Sequence, residues 1–347
     1  MFENTFEGAP VARRLEREAL QDFGVTTDIL SYRICPRHYG FFKHRHFKAA
    51  ATTPLFYGKT IHQTLDFCHY YFKGQAGNAN IGEVPPLNVV HSYFRQVERA
   101  LKAQGITSVN RVVRNRALAV IQVFNLLLGE YTYPKVEDTE CHLRSVRIPR
   151  GAEDPSERYV IGGVVDVILD DEGKREIWDY KGGSMDPKSL VFRHFELQIK
   201  GYAHLYEKKV GIAPSVGRVL FLGSLARLVE EKLGKRLDGF LFNEVERGGE
   251  VAWNLDAAAE IRERLGGDPQ TLLPEISHAV PFVSDAVEDA LAFFDDTVKE
   301  IRGELIKPFA EQWRVEENER PPGFSCVHCE LKFSCPHHDE SVPPPLS

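Results

Sequence analysis

The most informative stretch of the chain is GGVVDVILDDEGKREIWDYKGG, residues 162–183. Two runs rich in β-branched and aromatic residues flank residues 171–174, a pattern typical of two antiparallel strands joined by a tight turn. If the loop is even in length and centred on this turn, Asp166 lies directly opposite Asp179, with Cβ atoms about 4.5–5.5 Å apart. An odd loop would place Trp178 opposite Asp166 instead.

Two carboxylates at that spacing can share a divalent cation. Lys181, two residues beyond Asp179, points to the same face of the strand. Aliphatic residues flank Asp166 on both sides, so a half-buried carboxylate there is costly unless a partner or a metal satisfies it. The structural alternative is an ion-paired sheet surface, in which the lysine offsets the repulsion between the two acids.

The regions around the hairpin predict a helix, two inserted helices, three strands, a further helix and a further strand. Their predicted ranges are 59–72, 87–103, 109–128, 142–149, 158–169, 175–181, 192–209 and 217–222. Helical periodicity also predicts a helix over residues 11–23. This order predicts an α+β fold with an αβββαβ core packed on one small sheet, helical insertions and a C-terminal Cys-rich segment.

The length of 347 residues favours more than one structural unit. We expect an N-terminal helical and basic segment, a core with a helical insertion at 87–130, and a C-terminal helical region with a cysteine cluster. The predicted boundaries are 1–55, 56–224 and 225–347.

Residues 117–129 are apolar but too short and too polar to cross a bilayer, and the acidic start differs from a secretory signal. We therefore expect a cytoplasmic protein without a membrane span.

The net charge of −7 argues against a nucleic-acid partner for the chain as a whole. Residues 29–65, however, contain no acid but six lysines and arginines, interleaved with aromatic residues on which bases can stack. We therefore expect Arg37, Lys43 and Arg45 to contact DNA phosphates. The alternative is a solvated basic face over core aromatics.

The chain has no phosphate-binding loop and no dinucleotide fingerprint, which argues against a nucleotide motor or a dinucleotide enzyme.

Cys326, Cys329 and Cys335 form a C-x2-C-x5-C cluster, and Cys35 in a Cys-Pro step can supply a fourth thiolate. A zinc site without Cys35 is the alternative, because three histidines lie close to the C-terminal cysteines. Those histidines are His328, His337 and His338. The remaining cysteines, Cys68 and Cys141, have no such neighbours and are predicted to be core residues.

Four motifs, in order along the chain, resemble the RecB-like branch of the PD-(D/E)XK nuclease superfamily. They are His62 in GKTIHQTLDF, Asp166 in GGVVDVI, Asp179 and Lys181 in WDYKGG, and Gln198 with Tyr202 in ELQIKGYAHLY. Asp66 stands where the helix motif of that family often has glutamate. The resemblance implies a restriction-endonuclease-like fold and a metal-dependent nuclease.

The resemblance also implies a role for each motif residue. His62, Asp166 and Asp179 would hold Mg²⁺ or Mn²⁺. Lys181 would position or activate the attacking water, and Gln198 and Tyr202 would contact DNA near the site. Carboxylate-bound metal suits phosphodiester hydrolysis because it both activates water and neutralises the developing charge.

The same branch includes AddB-type nucleases and CRISPR adaptation exonucleases, some of which carry one cysteine before the core and three after it. By this resemblance, Cys35, Cys326, Cys329 and Cys335 hold a 4Fe-4S cluster. The expected activity is hydrolysis of DNA, at single strands or free ends, in repair, recombination or CRISPR-related processing, with a helicase or a recombination or CRISPR protein as a partner. The alternatives are a catalytically silent iron–sulfur DNA-binding subunit and, more distantly, a zinc-containing RNA-binding protein.

Overall fold

The computed structural model describes residues 20–47, 53–74, 81–188, 191–244, 251–315 and 329–332, together with Cys326 and Cys335. The strands are β1 Asp22–Gly24, β2 Val136–Arg147, β3 Tyr159–Asp171, β4 Lys174–Lys181, β5 Val216–Phe221, β6 Phe242–Glu244, β7 Val251–Trp253 and β8 Ser277–Pro281. The α-helices are α1 Ser31–Ile34, α2 Pro36–Tyr39, α3 Thr53–Phe72, α4 Leu87–Ala103, α5 Arg111–Thr132, α6 Phe192–Val210, α7 Leu222–Leu233, α8 Leu237–Phe240, α9 Leu255–Leu265, α10 Pro269–Ile276 and α11 Ser284–Ile306.

Six strands form one mixed sheet, and β6 pairs with β7 in a separate ribbon. The long strand β3 pairs with antiparallel β2 along one edge. Its other edge is shared between two strands: parallel β1 at the start and antiparallel β4 at the end. β4 continues alongside parallel β5, which pairs with antiparallel β8. The order α3, β2, β3, β4, α6, β5, with α4 and α5 inserted after α3, confirms the predicted α+β fold with a central sheet.

The hairpin between β3 and β4 has the even loop on which the opposed carboxylates depend. Val167 pairs with Trp178 and Asp171 with Lys174, so the loop contains only Glu172 and Gly173. These two residues have φ angles of 54° and 85°, the left-handed values that a two-residue type I′ turn requires at both positions. The odd-loop alternative is therefore wrong.

The predicted helix over residues 11–23 is wrong at its end, while residues 11–19 lie outside the described part of the chain. Residues 22–24 form β1, which pairs with residues 160–162 of β3. The edge of β3 that β4 leaves uncovered provides backbone partners there, and the Val160 amide also donates to the Gln21 carbonyl at 2.8 Å. Tertiary hydrogen bonding thus overrides a local helical pattern. The domain boundaries at 55 and 224 stay a prediction.

The residues 111–135 are long and apolar enough, by length and composition, to cross a membrane, but 67% of that apolar window is buried inside the protein. The side-chain amides of Gln122 and Asn125 in α5 donate to the carbonyls of Leu87 and Pro85 at 2.9 and 2.8 Å. These bonds satisfy buried polar groups within the fold. α5 is therefore a core helix of this fold.

Two core clusters sandwich the sheet. One combines α3, α4, α5 and α7 with Trp178 and Tyr180 of β4, and the other combines α6 and α11 with Ile177 of the same strand. Neighbouring residues of a strand point to opposite faces. The helix that carries His62 and the helix that carries Gln198 therefore pack on opposite faces of the sheet.

Candidate active site

The site lies where the sheet opens between β3 and β4. Along the edge of β3 that β1 and β4 both use, β1 pairs up to Gly162 and β4 starts to pair only at Val167. Asp166 stands at the end of this gap, and its Oδ2 accepts a hydrogen bond from the Tyr180 amide at 2.7 Å. A side-chain carboxylate thus replaces the missing ladder bond. The opening lets side chains from both faces of the sheet meet.

His62 reaches Asp166 from α3. Its Nδ1 lies 3.2 Å from Asp166 Oδ1. Burial by itself would lower the pKa of His62, but the charge of Asp166 and its hydrogen bond dominate and raise that pKa to about 9. Burial likewise opposes ionisation of Asp166, yet His62 and Lys181 hold the pKa of this carboxyl below its usual value. The two groups therefore form a charged pair in the structure.

Asp179 is almost fully buried, with 2% of the residue exposed. Its Oδ2 lies 2.6 Å from Lys181 Nζ, and its Oδ1 accepts a hydrogen bond from Gln198 Nε2 at 2.6 Å. Burial raises the pKa of Asp179 although Lys181 opposes the shift. Lys181 Nζ also donates to Gln198 Oε1 at 3.1 Å, so carboxylate, ammonium and amide form a closed triangle.

Gln198 and Tyr202 lie one turn apart on α6, and Gln198 Nε2 donates to the Tyr202 hydroxyl at 3.0 Å. The Tyr202 ring lies directly on Gly163: a Cβ at that position would be only 2.4 Å from a ring carbon. Glycine is therefore required in β3 for the tyrosine to reach the site. Both residues are buried. Gln198 holds Asp179 and Lys181 in place and Tyr202 supports Gln198, while direct DNA contact by the two residues stays a prediction.

Glu140 is a site residue that sequence reasoning missed. One ligand atom each of His62, Glu140 and Asp166 lies within 4.8 Å of the other two. Burial raises the pKa of Glu140 to about 7, and the charge of Asp166 acts in the same direction. Nothing in the segment VEDTEC distinguishes this acid from Glu137 and Asp138, because only the pairing of β2 with β3 brings Glu140 to Asp166.

The donor set fits a divalent metal. Carboxylate oxygens with one imidazole suit Mg²⁺ or Mn²⁺. Three acids, Glu140, Asp166 and Asp179, converge on the gap and perturb one another's ionisation, whereas Lys181 and His62 supply only two positive charges. A bound cation would offset the remaining repulsion.

The structure describes all four cysteines of the predicted cluster, each partly exposed, and the segment with Cys329 and Glu330 lies against the N-terminal helices, where Glu330 contacts His38. The pKa of Cys35 is raised by burial and, in addition, by the charges of Cys335 and Cys326. The pKa of Cys329 is raised by burial and by Cys35 and Cys326 among its charged neighbours. These directions are those that neighbouring thiolates produce, and a cluster held by the four cysteines stays a prediction. Cys68 and Cys141 lie in the two core clusters, as predicted.

His38 joins this second site. Its Nε2 lies 3.1 Å from Glu330 Oε2, and ligand atoms of His38, Cys329 and Glu330 lie within 4.8 Å of one another. Cys35 caps α2, because its sulfur accepts a hydrogen bond from the His38 amide at 3.4 Å. The three histidines of the zinc alternative lie outside the described residues.

The basic stretch forms intramolecular contacts. Lys43 Nζ lies 3.2 Å from the buried Asp28 carboxylate. The Arg45 guanidinium lies between the rings of Phe41 and Phe309, 4.9 and 4.0 Å from their centres, and donates to the Phe309 carbonyl at 2.9 Å. Arg37 stacks on the same Phe41 ring at 5.4 Å. These residues therefore form a cation–aromatic surface, and their contact with DNA stays a prediction.

Comparison with known proteins identifies the family of the chain. The search of curated proteins finds no match. Among solved structures, one titled "Crystal structure of SSO0001" aligns at 11% identity over 89% of this chain and 97% of that chain, with a TM-score of 0.31. The sequence profile of the PD-(D/E)XK nuclease superfamily matches residues 26–336. The chain that carries these motifs around a gap in its sheet therefore belongs to the PD-(D/E)XK nuclease superfamily.

Proposed function

We propose that the protein is a Mg²⁺- or Mn²⁺-dependent deoxyribonuclease that hydrolyses phosphodiester bonds in single strands or at free ends. The observation that carries this proposal is the meeting of His62, Asp166, Asp179 and Lys181 at the gap in the sheet. Membership of the nuclease superfamily supports it. A protein that only bound DNA would have no need of a buried acid paired with a lysine beside a histidine–carboxylate pair.

In this proposal His62, Asp166 and Asp179 would hold the metal, which would displace the imidazole proton of His62 because only neutral histidine can be a ligand. The bound metal would supply charge neutralisation and an activated water. The Tyr180 amide fixes Asp166, and Gln198 fixes Asp179. Lys181 keeps its ammonium at the site because Asp179 and Gln198 hold it from two directions. A cation held in place before the reaction stabilises the charge that develops on the phosphate without reorganisation.

The test uses anaerobically purified full-length protein and end-labelled single-stranded and double-stranded DNA, with RNA of the same sequence in parallel. We expect cleavage with Mg²⁺ or Mn²⁺, no cleavage with EDTA, and preference for DNA with single strands or ends. Failure to cleave any DNA with either metal contradicts the proposal. Cleavage of RNA alone contradicts the assigned substrate.

We propose further that Cys35, Cys326, Cys329 and Cys335 hold a 4Fe-4S cluster. Support comes from the contact between the two segments that carry the cysteines: His38 Nε2 lies 3.1 Å from Glu330 Oε2, and ligand atoms of His38, Cys329 and Glu330 lie within 4.8 Å of one another. Thiolates gathered from two distant segments repel one another, and a metal centre offsets that repulsion and ties the two segments together. Brown protein with iron and sulfide is the expected result, and colourless protein with stoichiometric zinc contradicts it.

The cation–aromatic surface of Arg37, Arg45, Phe41 and Phe309 is the proposed entry for DNA, because arginines bind phosphates and exposed rings stack on bases. Phe309 is 69% exposed, which leaves one ring free for stacking beyond its contact with Arg45. We place this activity in the cytoplasm, in repair, recombination or CRISPR-related processing with a partner protein such as a helicase.

A further inference from the structure

Glu140 has an unusual backbone for a residue inside a strand. Its φ of 46° lies in the left-handed region, which is unfavourable for residues with a Cβ. The residues on either side remain paired, Thr139 with Val167 and Cys141 with Val165. The same register places Glu140 directly opposite Asp166. A strained residue in a continuous strand indicates a function for its side chain.

The partner strand is irregular at the same level. Val165 and Val167 are two residues apart and would share one face of a regular strand. They belong instead to different core clusters. The alternation of β3 therefore changes at Asp166, opposite the distorted Glu140. The two acids lie where both strands depart from regular geometry.

The Glu140 carboxylate gains no ordinary partner from this distortion. Among the described residues, it forms neither a hydrogen bond nor an ion pair with any lysine or arginine, unlike Glu137 on the same strand, which pairs with Arg175 at 2.8 Å. Its neighbours are His62 and the acid Asp166. Two acids share one imidazole there, and placing them side by side is costly unless further positive charge offsets their repulsion.

We propose that Glu140 is an additional ligand of the divalent metal, approaching it from β2 beside His62 and Asp166. The inference rests on the proposed metal-dependent nuclease and adds a donor outside the four sequence motifs. It also explains the positive φ of Glu140, because this backbone conformation directs the carboxylate towards the gap in the sheet.

The experiment has two measurements, both made without DNA. Electron paramagnetic resonance gives the Mn²⁺ affinity, and thermal unfolding gives the rise in melting temperature that Mn²⁺ causes. The variants are Glu140→Gln, which removes the charge, and Glu140→Gly, which adopts a positive φ without strain and so preserves the bend. Glu137→Gln is the matched control, because it removes an acid from the same strand outside the site. We expect both Glu140 variants to bind Mn²⁺ about 10–100-fold more weakly and to lose most of the melting shift.

Wild-type affinity in Glu140→Gln overturns the inference, and so does a loss of cleavage at unchanged Mn²⁺ affinity, which would mark Glu140 as acting on water or substrate instead. An equal loss in Glu137→Gln overturns it as well, because the effect would then be one of general charge. A wild-type protein that binds no Mn²⁺ contradicts the proposed function itself, which keeps the two failures distinguishable.

Discussion

Replacing Lys181 by methionine tests the centre of the proposed mechanism. The ammonium lies 2.6 Å from Asp179 Oδ2, and methionine keeps an unbranched chain of similar length without the charge. The variant therefore leaves the buried carboxylate with its Gln198 hydrogen bond alone. We expect both activity and stability to fall, for separable reasons.

The activity loss follows from the lost positive charge at the reacting phosphate. Removing one preorganised donor of this kind typically costs about 2.7–4 kcal/mol, or about 10²–10³ in rate. Breaking a buried ion pair from one side costs about 3–5 kcal/mol of stability. The Lys181 side chain is 23% exposed, against 3% for Asp179, so we expect the lower end of that range. With an unfolding entropy of about 2.1 cal/mol/K per residue over 347 residues, a change of about 3 kcal/mol corresponds to a fall in melting temperature of roughly 4 °C.

The assay pairs metal-dependent cleavage rates with thermal unfolding for Lys181→Met and for Lys181→Met/Asp179→Asn, in which both partners are neutral. The double variant should regain most of the lost stability but no activity, because it also lacks the metal ligand. Lys174→Met, at the opposite end of β4, is the control and should cleave normally. Undiminished cleavage by Lys181→Met would refute the assignment of this lysine, and an unchanged melting temperature would refute the buried ion pair.

The remaining predictions address other parts of the chain. Burial lowers the pKa of His69 to about 3, so protonation of this histidine opposes folding. The free energy of unfolding should be unaffected by His69 above pH 6.5 and should fall by about 1.4 kcal/mol per pH unit between pH 6.5 and 3. In His69→Leu, denaturant titrations should show a smaller pH dependence of stability, and an unchanged dependence contradicts this. Cys35→Ser should lose iron and sulfide while Cys141→Ser retains both, whereas full iron content in the first variant would exclude Cys35 as a ligand. Arg37→Glu with Arg45→Glu should weaken DNA binding and flatten its salt dependence by about one unit for each lost contact, and an unchanged slope would show that the surface contacts no phosphate.

The central hairpin could be predicted because its determinants are local. A two-residue turn with an even loop sets the register, and the strand period of two then places Asp179 and Lys181 on one face. The helices that carry His62 and Gln198 could be predicted from local periodicity, but the roles of these two residues followed only from the resemblance to the nuclease family and stay predictions. Both residues lie on helices at the predicted places in the chain, α3 and α6.

Glu140 and β1 could not be predicted in the same way, because each depends on contacts between distant segments. Glu140 becomes a site residue only through its register with Asp166. Residues 22–24 become a strand only because β4 leaves part of the edge of β3 unpaired. Both features arise from the gap in the sheet, which no single segment encodes.

The attachment of the C-terminal region illustrates how such distant contacts determine what a variant can show. Trp313 stacks on His44, with ring centres 4.8 Å apart, and its amide donates to Glu304 at 2.5 Å. A Cβ at Gly40 would lie 2.1 Å from this indole, so the tryptophan fits only against glycine. These contacts join residues up to Val315 to the N-terminal helices without any cysteine. Loss of the proposed cluster should therefore leave the nuclease core folded, which makes Cys35→Ser a test of the metal centre rather than of folding.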